Sequence, residues 1–314
     1  MRKILVTGGA GNVGSALVNK LLLDENTYIV VVDDLSTGSL SKLNLEHPQL
    51  SFVKANVNHR EDLAEVMLAN HFDFVFHFAA MVGVQRTQDN PVQVLEDIQG
   101  IRNILNLSKN TGVKRFFFSS SSEVYGEPVV IPQNESTTPL NSRIPYAVVK
   151  NVGESFCRSY QKEFGLDYTI FRFFNTYGPH QTTDFVMAKF IALALKNEPI
   201  TIFGDGSQTR TFCYVDDNID TCLAALNENK IVNDVVNIGG DKIITILDLA
   251  KTIIKVTNSK SEITYLPPLP QGDMTRRQPD NTKMRSILNR ELLTIEEGIK
   301  KLLKSDAFLR EIGA

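Results

Sequence analysis

The chain has 314 residues, enough for one large domain or two moderate ones. Hydrophobic residues make up 42% and charged residues 22%, so a core can be buried and disorder along the whole length is excluded. Lys and Arg total 33 against 36 for Asp and Glu, a formal charge of −3 that offers no broad field to nucleic acid or an anionic membrane, so any anionic ligand must be met by a local site.

A first strand is predicted over residues 3–7, and its apolar run meets Gly8 too early for the core of a signal peptide. Further strands are predicted over 28–33, 51–54, 72–77, 114–119 and 168–173, alternating with helices over 13–23, 60–69, 92–110 and 146–164. That rhythm implies a Rossmann-type α/β fold, a doubly wound parallel sheet with helices on both faces. Phe74-Val75-Phe76 is apolar at successive positions, as expected of a strand covered on both sides. Beyond residue 175, glycine and proline punctuate shorter elements, as in Tyr177-Gly178-Pro179 and Gly204-Asp205-Gly206. Residues 1–175 are therefore expected to form the dinucleotide-binding domain and 176–314 mainly a smaller α/β substrate-binding lobe. Elements near 212–240 could return to the first sheet. No apolar stretch approaches the ~20 residues of a membrane span. Cys157, Cys213 and Cys222 form an odd set without metal spacing, and the five histidines show none either. Reduced thiols, no metal and a cytoplasmic location are the expectation.

The first strand runs into Thr7-Gly8-Gly9-Ala10-Gly11-Asn12-Val13-Gly14. Gly8 and Gly11 allow a tight turn and close approach of backbone N–H groups to a pyrophosphate at a helix start, and Gly14 allows the helix to pack on the strand. Asp33 ends the second strand, where its carboxylate can accept from an adenosine ribose hydroxyl. Asp33 and Asp34 would repel a 2′-phosphate, with no Arg or Lys adjacent in sequence, so NAD is favoured over NADP. Farther on, Tyr146 and Lys150 stand four apart at the start of a helix and share a face. An ammonium beside a phenol favours the phenolate, a base suited to a sugar hydroxyl. The strand containing Phe116-Phe117-Phe118 ends in Ser119-Ser120-Ser121-Ser122-Glu123, which delivers hydroxyls to the ligand edge of the sheet.

Together these motifs resemble the extended short-chain dehydrogenase/reductase family, and in particular its NAD-dependent nucleotide-sugar epimerases, dehydratases and decarboxylases. The resemblance runs to about residue 300 and implies an enzyme that works through a transient 4-keto sugar. By it, Ser121, Tyr146 and Lys150 are the catalytic trio, with Tyr146 and Lys150 also lining the cofactor. His77-Phe78-Ala79-Ala80 matches the segment beneath the nicotinamide half, and Asn56 and Val57 fall beside the adenine half. Asn175 and Arg210 match the family's diphosphate contacts, with Arg276 or Arg277 as a second arginine and Ser122 near the sugar. Glu123 is the ambiguous residue. A Ser/Thr-x-Glu arrangement favours 4,6-dehydratases and hexuronate decarboxylases, whereas the apolar Ala147-Val148-Val149 between Tyr146 and Lys150 looks like an epimerase. A 4-epimerase of a nucleoside-diphosphate hexose is the favoured reading. Dehydratase, decarboxylase or C4 dehydrogenase are the alternatives, and an idle NAD-binding regulator is a reading from another class. A homodimer is implied, with helices near 92–110 and 146–164 as candidate interface elements. Asn56, Val82, Asp97 and Pro270 depart from the pattern, Asp97 standing where an asparagine is usual.

Overall fold

A computed structural model of the chain describes residues 1–267 and 276–314, apart from the side chains of Val84 and Gln85. Pro270 and the Gly272-Asp273-Met274-Thr275 part of the second arginine motif lie outside the described residues. In chain order β1 (Arg2–Thr7) is followed by α1 (Asn12–Leu21), β2 (Thr27–Asp33), β3 (Leu50–Lys54), α2 (Arg60–Asn70), β4 (Phe74–His77), α3 (Val84–Asp89), α4 (Pro91–Thr111) and β5 (Arg115–Ser121). A 3-10 turn, Ser122–Tyr125, precedes α5 (Pro145–Phe164), β6 (Asp167–Phe173), β7 (Thr176–Tyr177), α6 (Val186–Leu195), β8 (Ile200–Phe203), β9 (Thr209–Thr211) and β10 (Cys213–Tyr214). Then come α7 (Val215–Asn227), β11 (Asp234–Ile238), β12 (Ile243–Thr245), α8 (Ile246–Thr257), β13 (Ile263–Leu266), α9 (Thr282–Leu288), α10 (Ile295–Leu303) and α11 (Asp306–Ile312).

Among the described residues the main sheet has seven strands in the order β11-β6-β5-β4-β1-β2-β3, each pairing parallel. This is the doubly wound sheet the sequence predicts. The chain leaves β1 for β2 on one side and reaches β4 on the other, so a crevice opens at the carboxyl ends of β1 and β4. Thr7 and His77 lie in register there. Side chains alternate along each strand. Ile4, Val6, Phe76, Phe117 and Phe171 join one core cluster with α1 and α7 residues, whereas Leu5, Val30, Val75, Phe116 and Phe118 join a second with α2 and α4 residues. Each such fully buried apolar side chain stabilises by about 1.5–3 kcal/mol, which is why the strands carry unbroken apolar runs.

Helix ends follow their punctuation. Pro91 and Pro145 open α4 and α5, and Gly112 and Gly165 close them with φ of +77° and +70°. The second half of the chain forms two-stranded pairs, β7 with β10, β9 with β12 and β8 with β13. It also sends α7 back against α1 and adds β11 to the edge of the main sheet beside β6. Among the described residues no helix is long and apolar enough to cross a membrane.

Candidate active site

The turn after β1 is closed by its glycines. Gly8 has φ +71°, and a Cβ there would fall 2.5 Å from the Ala79 nitrogen; one at Gly14 would fall 2.1 Å from the Gly8 oxygen. Gly11 is the N-cap of α1, and no side chain caps that helix start, which leaves first-turn donors to a ligand. Asn12 Oδ1 is buried without a hydrogen-bond partner, an orphaned acceptor of the kind a ligand donor satisfies. Asp33 is buried; Oδ2 accepts the Ala10 N–H at 3.0 Å and Oδ1 the Leu35 N–H at 2.9 Å. Burial raises its carboxyl and those two bonds work against the rise. Glycine cradle, open helix start and aimed acid fit the pyrophosphate and ribose of NAD. Asn56 Oδ1 accepts the Asn58 N–H at 2.9 Å in a local turn, and Val57 is buried. Phe78 is tied to β1 through Thr7 O at 3.0 Å, with Ala79 and Ala80 partly buried beside it. Lys42, in the connection after β2, bears electrostatically on Asp33. Its ammonium also lies 3.9 Å from Glu311 on α11.

At the other end of the crevice α5 packs closely on β5 because Gly153 faces Phe118, where a Cβ would meet the ring at 2.2 Å. That approach carries Tyr146 and Lys150 to the serine turn. Tyr146 is partly buried and feels the Ser121 hydroxyl; Lys150 is buried and donates to Ser119 Oγ at 3.3 Å. Lys150 is not among the groups that bear most on the phenol. Burial raises Tyr146, the Ser121 bond lowers it, Glu123 and Asp97 raise it and Arg277 lowers it. The reason is distance and desolvation, for the Lys150 nitrogen stands 5.7 Å from the ring centroid and is itself lowered to about 8 by burial. His77 is buried against Thr7 Oγ1 at 2.8 Å, and desolvation brings it down to about 3.

Glu123 is not free. Its Oε1 lies 2.5 Å from Arg277 Nη2, and among the described residues the buried Arg277 Nε has no partner. Arg277 is delivered by a pairing distant in sequence: the Gln133 N–H donates to Gln278 O at 2.7 Å and the Asp280 N–H to Gln133 O at 2.8 Å. Asn237 of β11 locks both sides, its Nδ2 donating to Gln133 O at 2.8 Å and to Asp280 O at 3.3 Å, while Tyr125 Oη donates to Asn237 Oδ1 at 2.7 Å. Of the two candidate arginines, Arg277 thus joins Glu123 and Tyr146. Arg276 is exposed, its backbone bridged to Thr209. Asn175 has φ +31° and donates to Thr211 O at 2.9 Å, which brings it beside β9 and the buried Arg210. Ser122 is buried in the turn.

Sequence reasoning missed the Glu123–Arg277 pair, which no local spacing announces. It also missed the buried Arg172, whose Nε and Nη2 meet Glu154 Oε1 and Oε2 at 2.7 Å each, with Ser120 Oγ donating to the same Oε1 at 2.7 Å. Glu154, at i+4 from Lys150 on the buried face of α5, was the available signal. Among the described residues no cluster of His, Cys, Asp and Glu is placed to hold a metal ion.

Comparison with known proteins agrees with this geometry. The model of the NAD dependent epimerase/dehydratase family matches residues 4–239. UDP-glucuronic acid decarboxylase 1 of Danio rerio is 36% identical over 319 residues, covering 99% of this chain and 73% of that protein. The structure of UDP-glucose 4-epimerase from Thermotoga maritima with UDP-glucose has a TM-score of 0.91 at 33% identity, covering 99% of this chain and 100% of its own. A dTDP-glucose 4,6-dehydratase from Streptomyces venezuelae with NAD bound has a TM-score of 0.89 at 26% identity, covering 98% and 97%.

Proposed function

Since the chain belongs to the NAD dependent epimerase/dehydratase family and is an NAD-dependent enzyme, we propose that it oxidises C4 of a uridine-diphosphate hexuronate and releases carbon dioxide. The carrying observation is the Arg277–Glu123 pair, whose two charges both act on the Tyr146 phenol. C5 is bonded to C4, so a guanidinium near the Tyr146 oxygen suits a carboxylate borne on C5. The unpartnered Arg277 Nε is a donor that such a carboxylate would satisfy. The likeness to the decarboxylase of Danio rerio supports the same substrate class.

Gly8, Gly11, Asn12, Val13 and Gly14 would hold NAD at its pyrophosphate and Asp33 at its ribose; bound there, it would supply the reversible hydride acceptor that oxidation at C4 requires. Asn56, Val57, Phe78, Ala79 and Ala80 would line its length. Tyr146 Oη takes the C4 hydroxyl proton, Ser121 fixes that oxygen and Lys150 keeps positive charge nearby. A 4-keto hexuronate is a β-keto acid: the C5–C6 bond breaks, its electron pair enters the C4 carbonyl and carbon dioxide leaves. Hydrogen bonds from Ser121 and the protonated Tyr146 stabilise the enolate oxygen, and a proton from water is added at C5. Glu123 holds Arg277 through Nη2 and so aims its Nε at the substrate carboxylate. Asn175 and Arg210 hold the diphosphate, with Arg276 at its outer side and Ser122 beside the sugar. On this reading residues 1–175 with the returning α7 and β11 serve NAD, and the rest of 176–314 serves the nucleotide sugar.

Incubation with UDP-glucuronate, read by mass spectrometry and NMR, should give a product lighter by carbon dioxide with no build-up of reduced cofactor. The second reading is 4-epimerisation, favoured by the apolar residues between Tyr146 and Lys150 and by the TM-score of 0.91 to the Thermotoga epimerase. It predicts unchanged mass and inverted C4. Dehydration would need Glu123 free to take a proton, and its engagement by Arg277 opposes that. For assembly, the reading carries a homodimer over the outer face of α5, where Val148, Val152 and Phe156 are partly exposed. Equilibrium sedimentation should give twice the chain mass; a monomer at micromolar concentration would overturn it.

A further inference from the structure

Tyr125 closes the 3-10 turn that also carries Glu123, and its buried ring lies beside Phe174 with centroids 6.1 Å apart. Its hydroxyl stands between two unlike neighbours. Arg172 Nη1 donates to it at 2.8 Å, and it donates to Asn237 Oδ1 at 2.7 Å. A guanidinium has protons and no acceptor, so the phenol must accept on that side and send its own proton to Asn237. The chain therefore has one direction. It fixes the Asn237 amide with Oδ1 toward Tyr125 and Nδ2 toward the Gln133 and Asp280 carbonyls. A flipped amide would set acceptor against acceptor in a buried place.

These bonds complete a ring at the sugar end of the crevice. From Tyr125 it runs by Asn237 to Asp280, along residues 277–280 to the Arg277 guanidinium, across the 2.5 Å ion pair to Glu123, and along the turn to Tyr125 again. One hydroxyl thus spaces the serine turn from the arginine segment. Other contacts keep that segment folded. Asn281 Nδ2 donates to Gly239 O at 3.0 Å, and Pro279 lies so close that a Cβ at Gly239 would fall 2.9 Å from its Cγ. Without the hydroxyl, Arg172 still keeps its two bonds to Glu154 and one to Glu135 O at 3.2 Å. Its removal loosens the register of Arg277 and leaves the anchors on either side in place.

We propose that the Tyr125 hydroxyl, by orienting the Asn237 amide, holds Arg277 in register with Glu123 and so sets the preference of the sugar site for a hexose bearing a carboxylate over a neutral one. Tyr125 is a positioning residue and touches no reacting atom. The inference rests on the reading of Arg277 as the partner of a hexuronate carboxylate. Guanidinium and carboxylate meet through directed, charge-assisted bonds, so the preference depends on placement to within about 0.5 Å. A uridine-diphosphate hexose without the carboxylate has the same nucleotide and diphosphate to offer and draws nothing from that placement.

The test is a double-mutant cycle on the holoenzyme, made in a Tyr146→Phe background so that ligand is not consumed, with Tyr125→Phe, Arg277→Gln and the two combined. Calorimetry gives Kd for UDP-glucuronate and for UDP-glucose. Tyr125→Phe should weaken UDP-glucuronate about ten-fold, with NAD retained and UDP-glucose held within about two-fold. With Arg277→Gln already present, the same substitution should weaken UDP-glucuronate by less than about two-fold. Unchanged affinity for UDP-glucuronate, equal weakening of both ligands, or the full loss recurring beside Arg277→Gln would overturn the inference, since a merely structural role does not pass through the arginine. Should Tyr125→Phe fail to fold, hydrogen exchange in the wild-type holoenzyme decides. The Asp280 N–H, which donates to Gln133 O, should be protected at least about 100-fold before any nucleotide sugar is added; exchange at the rate of an exposed loop would show the ring open and sink the role of Tyr125. If the background protein binds UDP-glucose as tightly as UDP-glucuronate, or if Arg277→Gln leaves their ratio unchanged, it is the carboxylate reading beneath the proposal that is refuted.

Discussion

Ser119, Ser120 and Ser121 are consecutive and chemically alike, yet the fold gives each a different partner. Ser119 takes the Lys150 ammonium, Ser120 donates to Glu154 and Ser121 meets Tyr146. Their roles therefore separate under substitution. Ser120→Ala strips a hydrogen bond from a buried carboxylate and should lower stability by about 1.5–3 kcal/mol in urea unfolding, with kcat within a few-fold of wild type. Ser121→Ala should leave the urea midpoint near wild type and reduce kcat. Tyr146→Phe should cut kcat by at least about 100-fold with NAD retention unchanged, read by turnover and by bound-cofactor absorbance. The Ser121, Tyr146 and Lys150 grouping was legible in the sequence because four-residue spacing and strand-end position are local properties. The direction of the Tyr146 shift was not, because it depends on how much water the finished crevice excludes.

Helix α5 carries Tyr146, Lys150 and Glu154 at successive four-residue steps, and only the third is held by a buried ion pair. Arg172 on β6 grips Glu154 with two bonds and also donates to Tyr125 Oη at 2.8 Å, so helix, sheet and serine turn share one anchor. Removing one partner of such a pair leaves a buried charge uncompensated. Glu154→Ala should cost about 3–5 kcal/mol, measured by denaturant unfolding, and a loss under 1 kcal/mol would show the anchor to be idle. On β4, His77 titrates near 3 when folded against 6.5 in the unfolded chain. Between those values the unfolded state binds the extra proton, so stability falls as pH drops below about 6.5. His77→Gln should remove about 2 kcal/mol of the wild-type loss between pH 7 and pH 5, and equal pH dependence in both proteins would contradict the assignment. At this scale the sequence reading missed α3, α6 and every helix from α8 to α11. In α6, Val186–Leu195, the apolar residues run almost all round the helix, so the periodic signature of a half-exposed helix is absent.

At the scale of the whole molecule, the glycine turn, Asp33 and the alternation of elements made the half with the candidate NAD site readable, since each depends on neighbours in sequence. The partners that define the far end of the crevice come together only through the tertiary fold. Arg277 reaches Glu123 because residues 278–280 pair with Gln133, and that pairing depends on Asn237 of β11. Asn237→Ala should therefore weaken use of the nucleotide sugar more than retention of NAD, raising KM for UDP-glucuronate at least several-fold while bound cofactor stays near wild type. Equal losses in both would mean that Asn237 supports the sheet as a whole and not the arginine segment.

The late return of β11 also sets a timetable. About sixty residues separate the end of β6 from β11, and at roughly 5–20 residues per second a ribosome needs some 3–12 s to supply them. During that interval β6 has an open side, with Ile170 and Phe171 bordering unpaired backbone, and a nascent chain is exposed to strand-to-strand association. The glycine turn and Asp33 of the proposed NAD site are made long before Arg277 leaves the exit tunnel. Cofactor capture can thus precede assembly of the sugar site, and bound NAD would steady the half-made sheet through the interval in which its edge is most vulnerable.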